Sequence, residues 1–260
     1  MKKNLLERAS TFARLHIPKA SELLAQRLRG AILRKDLAEG APLPTEKELV
    51  EQLGVSRATV REGLRLLEAD GLIATRPGRG GGTVVRRPPA SGHTRALALL
   101  LQFAGTTLGE LLEARRVIEP ACARLAAGRV RPDQLVEMER LIEEMRASTG
   151  EPLAYLTQQV RFHLLIAHAA GNNVLRIYAT SLAELTHEQM VHVPFTREDL
   201  EAGTVGCAAI LEALAQRDGE WAARRLQKHL SAVEQAITRV GWPLDQQAAA
   251  LEGRANGHPE

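Results

Sequence analysis

The chain has 260 residues, of which 45% are hydrophobic, so it is long enough for two domains that each bury a core. Its 34 Lys and Arg exceed its 31 Asp and Glu by only 3, yet residues 1–90 carry a balance of +7 and residues 91–260 a balance of −4. This asymmetry predicts one part that binds a polyanion and excludes a protein that coats nucleic acid along its whole length.

Cysteine content and hydropathy exclude two further classes of protein. Cys122 and Cys207 are the only cysteines, and their separation does not suggest a disulfide scaffold. No apolar run approaches the roughly 18 to 20 residues of a membrane helix, and the first residues lack the apolar core of a signal peptide. We expect a soluble, cytoplasmic protein with no membrane partner.

The first predicted elements follow a flexible extension of residues 1–18. An apolar stripe predicts a helix from Ala20 to Arg34 at the start of a domain that spans residues 19–87. Thr45 and Glu48 then form the capping-box pattern that begins a second helix.

A tight turn separates that helix from a third. Gly54 supplies the left-handed backbone that commonly ends a helix, and Ser56 is a favourable N-cap for the next one. Arg57 and Arg61 project from the new helix, and Thr59 lies in its first turn. Because a helix in the major groove presents its N-terminal residues to base edges, these positions predict DNA contacts.

A basic wing follows the helices. Residues 72–75 and 83–86 are predicted as two short strands around a glycine-rich tip, where Gly78 allows close approach to a DNA backbone. Arg76 and Arg79 flank this glycine and are expected to neutralise phosphates or enter the minor groove.

The ordered motifs resemble the winged helix-turn-helix of GntR-family transcription regulators. The resemblance is carried by LPTEKEL at 43–49, GVSRATVRE at 54–62, LLEADGL at 66–72 and RPGRG at 76–80. It implies DNA contacts from a set of polar, basic and glycine positions, namely Lys47, Ser56, Arg57, Thr59, Arg61, Gly78 and Arg79.

Residues 88–93, which include two prolines, are predicted as a linker. Apolar residues then recur at helical spacing and predict a mainly α fold with an all-helical second domain over residues 94–240. Seven helices are expected, at 94–103, 107–129, 132–149, 152–171, 173–190, 197–216 and 219–240. Residues 241–260 lack a periodic face and are predicted to be disordered.

This second domain resembles the FCD ligand-binding domain of FadR-type members of the same family. The carriers are LLEARRVIEP at 111–120, LAA at 125–127, RFH at 161–163, GNN at 171–173, and the run from 210 to 230. Seven helices imply the FadR-type rather than the VanR-type branch. The resemblance implies an antiparallel bundle around a pocket for a small carboxylate effector, often with a divalent metal held by one aspartate and three histidines.

Two of the four implied metal positions differ in this chain. His163 and His229 match histidine positions, but Gln159 stands at the aspartate position and Cys207 at the middle histidine. One interpretation is a Zn²⁺ site of His163, Cys207 and His229, because thiolate and imidazole suit zinc. The other is a metal-free pocket in which the histidines are polar lining and Cys207 is a small buried side chain.

Arg115 is the predicted grip for the effector carboxylate, because a guanidinium can pair with a carboxylate through two hydrogen bonds. Its alternative role is an ion pair with Glu119, one turn along the same helix. Gln159, His163, Cys207 and His229 are the other candidate pocket residues. Asn172 is predicted either to reach the effector or to cap a helix.

The sequence therefore predicts a ligand-responsive regulator that binds a palindromic double-stranded DNA operator as a homodimer. The family resemblance implies repression more often than activation. A metal-free regulator that senses an acyl-CoA or fatty acyl ligand is the alternative. A metal- or thiol-dependent enzyme that uses the three candidate zinc ligands is a remote alternative, because no enzyme motif accompanies them.

Overall fold

The computed structural model describes residues 18–76, 82–86 and 90–245, and the chain divides into two compact units between Gly92 and His93. The elements of the first unit are α1 (Ala20–Leu33), α2 (Glu46–Leu53), α3 (Arg57–Ala69), β1 (Ile73–Arg76) and β2 (Gly82–Val85). The predicted extension lies outside the described residues except for its last residue, Pro18.

Local hydrogen bonds define the ends of α2 and the start of α3. Thr45 Oγ1 accepts from the Glu48 amide at 3.3 Å, and the Glu48 carboxylate accepts from the Thr45 amide at 2.7 Å. Gly54 ends α2 with a φ of 64°, and Ser56 Oγ accepts from the Thr59 amide at 3.1 Å. The structure thus confirms the predicted capping box, turn and N-cap.

Close contact between α1 and α3 holds the first unit together. Leu24, Leu49 and Val60 form one buried cluster, and Leu67 belongs to a second cluster that reaches the strands. Gly63 lies where the helices meet: a Cβ at this position would be 2.5 Å from Leu24 Cδ2. The absence of a side chain therefore sets how closely α3 approaches α1.

The two strands form an antiparallel pair in which Ile73 lies opposite Val85. Each predicted strand is displaced by one residue from its observed range, because the alternation of side chains identifies a strand more clearly than its ends. A third extended segment was not predicted: Pro42 bridges to Val84, and the Leu43 amide donates to the Thr83 carbonyl at 2.8 Å. Segment 40–43 thereby packs along β2.

The second unit is helical, and each of its seven predicted helices has an observed counterpart. These are α4 (Ala90–Phe103), α5 (Leu108–Ala127), α6 (Pro132–Ala147), α7 (Pro152–Ala169), α8 (Asn173–Met190), α9 (Arg197–Ala215) and α10 (Gly219–Arg239). Helix α4 begins at Ala90 instead of residue 94, so the predicted linker is too long. A proline stops a strand but does not show where the next helix starts, and the prolines at 88 and 89 lie outside the described residues.

Helix α5 is central in this bundle, where it packs against α7, α8, α9 and α10. The core contains large, fully buried side chains from several helices, including Leu112, Met138, Phe162, Ile210 and Leu226. Among the described residues, no helix combines the length and hydropathy needed to cross a membrane.

The predicted disorder after residue 240 is wrong for residues 241–245. Trp242 and Leu244 pack against a buried cluster that includes Leu108 and Leu112, and the Leu244 carbonyl accepts from the Gly109 amide at 2.8 Å. The segment has too few apolar residues to show a period, but two of them suffice to bind it to the bundle. Residues 246–260 lie outside the described part of the chain.

Candidate functional site

The N-terminal turn of α3 exposes most of the predicted DNA-contacting side chains. Ser56, Arg57 and Arg61 are exposed, and Thr59 is half-buried. The Ser56 and Thr59 hydroxyl oxygens lie 2.8 Å apart, so these two residues support each other as well as the helix start. The capped end of α3 therefore presents two arginines without using either of them for packing.

The two arginines differ in their partners. Arg61 Nε donates to both carboxylate oxygens of Glu46, at 3.0 and 3.2 Å, which holds its side chain over the start of α2. Among the described residues Arg57 has no charged partner. Lys47 is 78% exposed, with Glu51 at 3.9 Å. The contact of Glu46 with Arg61 was not predicted from the sequence, because only the fold brings together these two residues, which are fifteen positions apart.

The wing is described only in its strands. Arg76 is the last residue of β1 and pairs with Gly82 across the hairpin. Gly78 and Arg79, which were predicted to contact DNA, lie outside the described residues. Their role stays a prediction from the sequence.

A charged network lies buried in the second unit. Arg115 and Glu119, one turn apart on α5, form an ion pair in which the two side chains are only 6% and 5% exposed. His163 Nδ1, on α7, donates to the other oxygen of Glu119 at 2.6 Å. The ion pair considered as the alternative role of Arg115 is therefore present, and its role as the grip for an effector stays a prediction.

A second group of polar side chains lies beside this network. Gln159 Nε2 is 3.4 Å from His229 Nε2, and Cys207 Sγ is 4.0 Å from the same nitrogen. The His163 and His229 rings lie with their centroids 5.3 Å apart. Helices α5, α7, α9 and α10 therefore bring together five of the six predicted pocket residues, namely Arg115, Gln159, His163, Cys207 and His229.

Burial and charge set the ionisation of these groups. Burial alone would raise the pKa of Glu119, but Arg115 and His163 outweigh it and lower that pKa to about 2. Burial lowers the pKa of His229 to about 3, with smaller effects from His163 and Arg115 in the same direction. Burial, followed by the charge of Glu119, raises the pKa of the Cys207 thiol. His229 is therefore a neutral imidazole and Cys207 a neutral thiol near pH 7.

These residues have the composition of a zinc site. One possible ligand atom from each of His163, Cys207 and His229 lies within 4.8 Å of the others, and all three residues are buried. Because Glu119 occupies Nδ1 of His163, the Nε2 atom of that ring is the one available to a metal. A carboxylate behind a ligating histidine is the usual second partner in such sites. These ligand atoms lie up to about 1 Å farther from one another than they would around a bound zinc at ordinary ligand distances.

Two cavities meet at Gln159, which together with Leu156 and Met190 lines both of them. The inner cavity has a volume of about 10 Å³ and is also lined by Arg115 and His163. The outer cavity measures about 150 Å³ and extends past His229. Its other lining residues are mostly apolar or small and include Tyr155, Phe195, Leu200, Gly203, Val233 and Ala236.

Two glycines on α9 make room for this site. A Cβ on Gly206 would lie 2.5 Å from His229 Nδ1, and a Cβ on Gly203 would lie 2.5 Å from the Tyr155 hydroxyl oxygen. That hydroxyl in turn lies 3.4 Å from Thr204 Oγ1. Neither glycine has a positive φ, so both are explained by the approach of α10 and α7 and not by backbone conformation.

The structure corrects the predicted pocket role of Asn172. Its side chain is exposed at the N-cap of α8, where Oδ1 accepts from the amides of Val174 and Leu175 at 3.0 and 3.2 Å. Asn172 does not line either cavity beside Gln159. Capping, the alternative considered for this residue, accounts for its contacts.

Glu119 was considered as an ion-pair partner of Arg115, but its burial in the site and its contact with His163 were not predicted. The sequence held a signal for it, because Leu108, Leu112, Arg115, Glu119 and Cys122 recur at spacings of three and four on α5. All five are buried in the structure. Charged residues on an otherwise apolar stripe indicate a buried polar network.

Family models match both units of the chain. Residues 20–85 match the model described as "Bacterial regulatory proteins, gntR family", and residues 110–232 match the FCD domain. The first match covers α1 to β2, and the second covers the helices that carry the buried cluster. The matches confirm the family resemblance of each part.

Known proteins that match most of this chain support the same family. The "Putative L-lactate dehydrogenase operon regulatory protein" of Escherichia coli is 31% identical over 252 residues, which span 92% of this chain and 95% of the relative. The "HTH-type transcriptional repressor NanR" of Cronobacter sakazakii is 28% identical over 221 residues, 83% of this chain and 84% of the relative. The solved structure "Streptococcus agalactiae GntR" has a TM-score of 0.65 at 26% identity and covers 83% of this chain and 99% of that one.

These relatives are regulators of transcription, not enzymes. Both units, their order along the chain and the helical architecture agree with that assignment. The chain therefore belongs to the GntR family and is a ligand-responsive transcription regulator with an FCD effector domain.

Proposed function

We propose that this regulator is a homodimeric repressor that binds a palindromic DNA operator and responds to a small carboxylate effector. The observation that carries the effector part is the buried Arg115–Glu119–His163 network beside a cavity. Charged groups in a protein interior are costly unless they are paired or have a functional task.

The DNA-binding part of the proposal depends on α3. Arg57 is exposed and, among the described residues, uncommitted, and Arg61 is held by Glu46. Arginine can bridge guanine O6 and N7 in the major groove, and the orientation of Arg61 by Glu46 reduces the freedom that the side chain loses on binding.

A dimer follows from how such helices recognise DNA. Two copies related by a two-fold axis would place their α3 helices on the two halves of a palindrome. Val174, Ile177 and Tyr178 recur at spacings of three and one on α8 and are 62%, 43% and 53% exposed. A group of large apolar side chains on one helix supports a contact with a second copy. Size-exclusion chromatography with light scattering tests the dimer; a monomer at micromolar concentration would contradict it.

The charges of the buried network favour a bound zinc ion as part of the effector site. Arg115 and Glu119 offset each other, while His229 and the Cys207 thiol are neutral. A carboxylate effector needs net positive charge in such an interior. When bound, zinc would supply this charge and favour the Cys207 thiolate. His163, Cys207 and His229 would hold the ion, and Glu119 would keep the His163 ring oriented.

A metal-free pocket for an acyl-CoA or fatty acyl ligand is the second candidate. The apolar lining of the outer cavity, which includes Phe195, Leu200 and Val233, favours this alternative. The two candidates differ in one measurable property, since only the first requires stoichiometric metal.

Gel-shift titration tests the DNA-binding part, with operator DNA selected by the protein from a random pool. Arg57→Ala and Arg61→Ala are each expected to weaken specific binding by about 1 to 3 kcal/mol, and Arg79→Ala to reduce the salt dependence of binding. Arg34→Ala, which removes an exposed arginine that follows α1 and pairs with Asp36, is the matched control. Unchanged affinity in both α3 variants would contradict the proposed contacts.

Metal analysis of purified protein tests the zinc site. We expect about one zinc per chain, and its loss in Cys207→Ala, because removal of one of three ligands sharply weakens a zinc site. Cys122→Ala is the control, since that cysteine is also buried but lies outside the cluster. Metal-free protein that still responds to carboxylates would refute zinc while leaving the regulator intact.

The sign of regulation is tested by transcription in vitro from a promoter that carries the selected operator. A repressor lowers transcript yield without effector and restores it with effector. This requires that the effector favour the arrangement with lower DNA affinity. An increase of transcription by the protein would show an activator.

A further inference from the structure

The outer cavity differs chemically from the buried network next to it. Phe195, Leu200, Val233 and Ala236 contribute apolar walls, and the polar lining includes Gln159, His229, Asp199 and Arg239. Gln159, which also lines the inner cavity, has its Nε2 atom 3.4 Å from His229 Nε2.

The charged groups that line the outer cavity are paired with each other. Asp199, whose side chain is 4% exposed, accepts from the Thr196 amide at 2.9 Å and from Thr196 Oγ1 at 2.8 Å. Its second oxygen accepts from Arg239, a residue of α10 that is 66% exposed. The pair of Asp199 and Arg239 therefore has no net charge, and neither residue is a strong site for a second anionic group of a ligand.

The boundary where the two cavities meet is also formed by uncharged side chains. Gln159, Leu156 and Met190 line both cavities, and all three are neutral. The boundary between the two cavities therefore repels neither a carboxylate nor an apolar chain. The Gln159 amide also offers both a donor and an acceptor to a carboxylate at this boundary.

The volume limits the ligand. An apolar cavity of 150 Å³ is large enough for benzene, a six-carbon ring, whereas pockets for drug-sized ligands usually occupy about 300 to 1,000 Å³. A coenzyme A thioester carries a nucleotide and is larger than a drug-sized ligand. A cavity of this volume is suited to a short apolar group, and a coenzyme A thioester would have to keep its nucleotide outside it.

We propose that the outer cavity is a subsite for the apolar tail of a short monocarboxylate of about four to seven carbons, whose carboxylate lies at Gln159, beside the small cavity that Arg115 lines. This inference rests on the proposed carboxylate effector and specifies its class. Leu200 and Ala236 determine the accepted chain length, because their side chains form the walls of the tail subsite.

Calorimetric titration of the full-length protein, as purified and with equimolar zinc, tests this subsite with straight-chain carboxylates from acetate to octanoate. For the natural protein we expect the highest affinity between butanoate and heptanoate. Leu200→Ala removes three carbons from the wall and should raise the affinity for octanoate relative to hexanoate by up to about sixteenfold, since octanoate has two more methylenes and each buried methylene contributes about fourfold. Ala236→Val should shift the optimum towards shorter acids.

Leu214→Ala is the matched control. Leu214 lies on α9 like Leu200 and is fully buried, but it does not line the outer cavity. It should lower stability without changing the preferred chain length. Ala236→Val keeps the test decisive if Leu200→Ala does not fold, because it acts in the opposite direction with a smaller change of volume.

The outcomes separate the subsite from the proposed function. If the natural protein binds carboxylates and loses them in Arg115→Gln, but Leu200→Ala and Ala236→Val keep the original chain-length optimum, the tail subsite is refuted and the carboxylate effector stands. If no carboxylate binds, with or without zinc, both are refuted. Tighter binding of butanoyl- or hexanoyl-coenzyme A than of the free acids would also overturn the inference.

Discussion

Substitution of Gly63 by alanine tests how the recognition helix α3 is seated on α1. A Cβ at this position would lie 2.5 Å from Leu24 Cδ2 and 3.0 Å from the Ser21 carbonyl oxygen. The leucine methyl can move, but the carbonyl belongs to the backbone of α1. Alanine therefore requires the two helices to separate.

The expected size of the effect follows from two opposing terms. Alanine is favoured over glycine inside a helix by about 1 kcal/mol. Overpacking of a close contact costs about 1 to 3 kcal/mol. Gly30→Ala is the matched control, because Gly30 is also inside a helix of the same unit and its Cβ would meet only the end of the Arg34 side chain, at 3.1 Å. The propensity term cancels in the comparison, so Gly63→Ala should be less stable than Gly30→Ala by about 1 to 3 kcal/mol.

Hydrogen exchange of the full-length protein measures this difference in the first unit alone. Peptides that cover α1 and α3 should exchange faster in Gly63→Ala than in Gly30→Ala, while peptides from α5 to α10 should be unchanged. Affinity for the selected operator should fall in Gly63→Ala because α3 is displaced. Equal protection of α1 and α3 in the two variants would refute the close-packing explanation.

Three further predictions concern the second unit. In Gly206→Ala the new Cβ would lie 2.5 Å from His229 Nδ1 and displace that ring. The variant should therefore show no zinc binding in a titration, while its melting temperature falls by no more than a few degrees. Zinc affinity equal to that of the natural protein would contradict this close contact between Gly206 and His229. Glu119→Gln should lower the free energy of unfolding by about 3 to 5 kcal/mol in urea, because Arg115 would be left buried without a counter-charge; a loss below 1 kcal/mol would show that the pair is dispensable. A chain that ends at Val240 should melt at a lower temperature than one that ends at residue 245, because it lacks Trp242 and Leu244; identical melting curves would mean that this packing contributes nothing.

The first unit was predictable in detail because its features depend on neighbouring residues. Thr45 and Glu48 are three positions apart, and Gly54 and Ser56 mark a turn and a helix start without reference to the rest of the chain. Segment 40–43 was not recognised, since its pairing with β2 joins residues about forty positions apart and leaves no local pattern.

The sequence predicted which residues form the effector site, but not which of these residues contact each other. The family resemblance identified His163, Cys207 and His229, which the fold does bring together. It did not identify the contact between Glu119 and His163, 44 residues apart, because helical periodicity shows which face is buried and not which residue lies opposite. The glycines at 203 and 206 were missed for the same reason, since their role is to leave space for side chains of other helices.

The hydrogen bond from the Gly109 amide to the Leu244 carbonyl links the start of α5 to the last described residues. Amides in the first turn of a helix have no partner within the helix and usually exchange with solvent water rapidly. At Gly109 exchange instead requires release of the segment that carries Trp242. This single amide is therefore a natural reporter, readable by NMR, of whether the C-terminal segment remains attached when an effector enters the bundle.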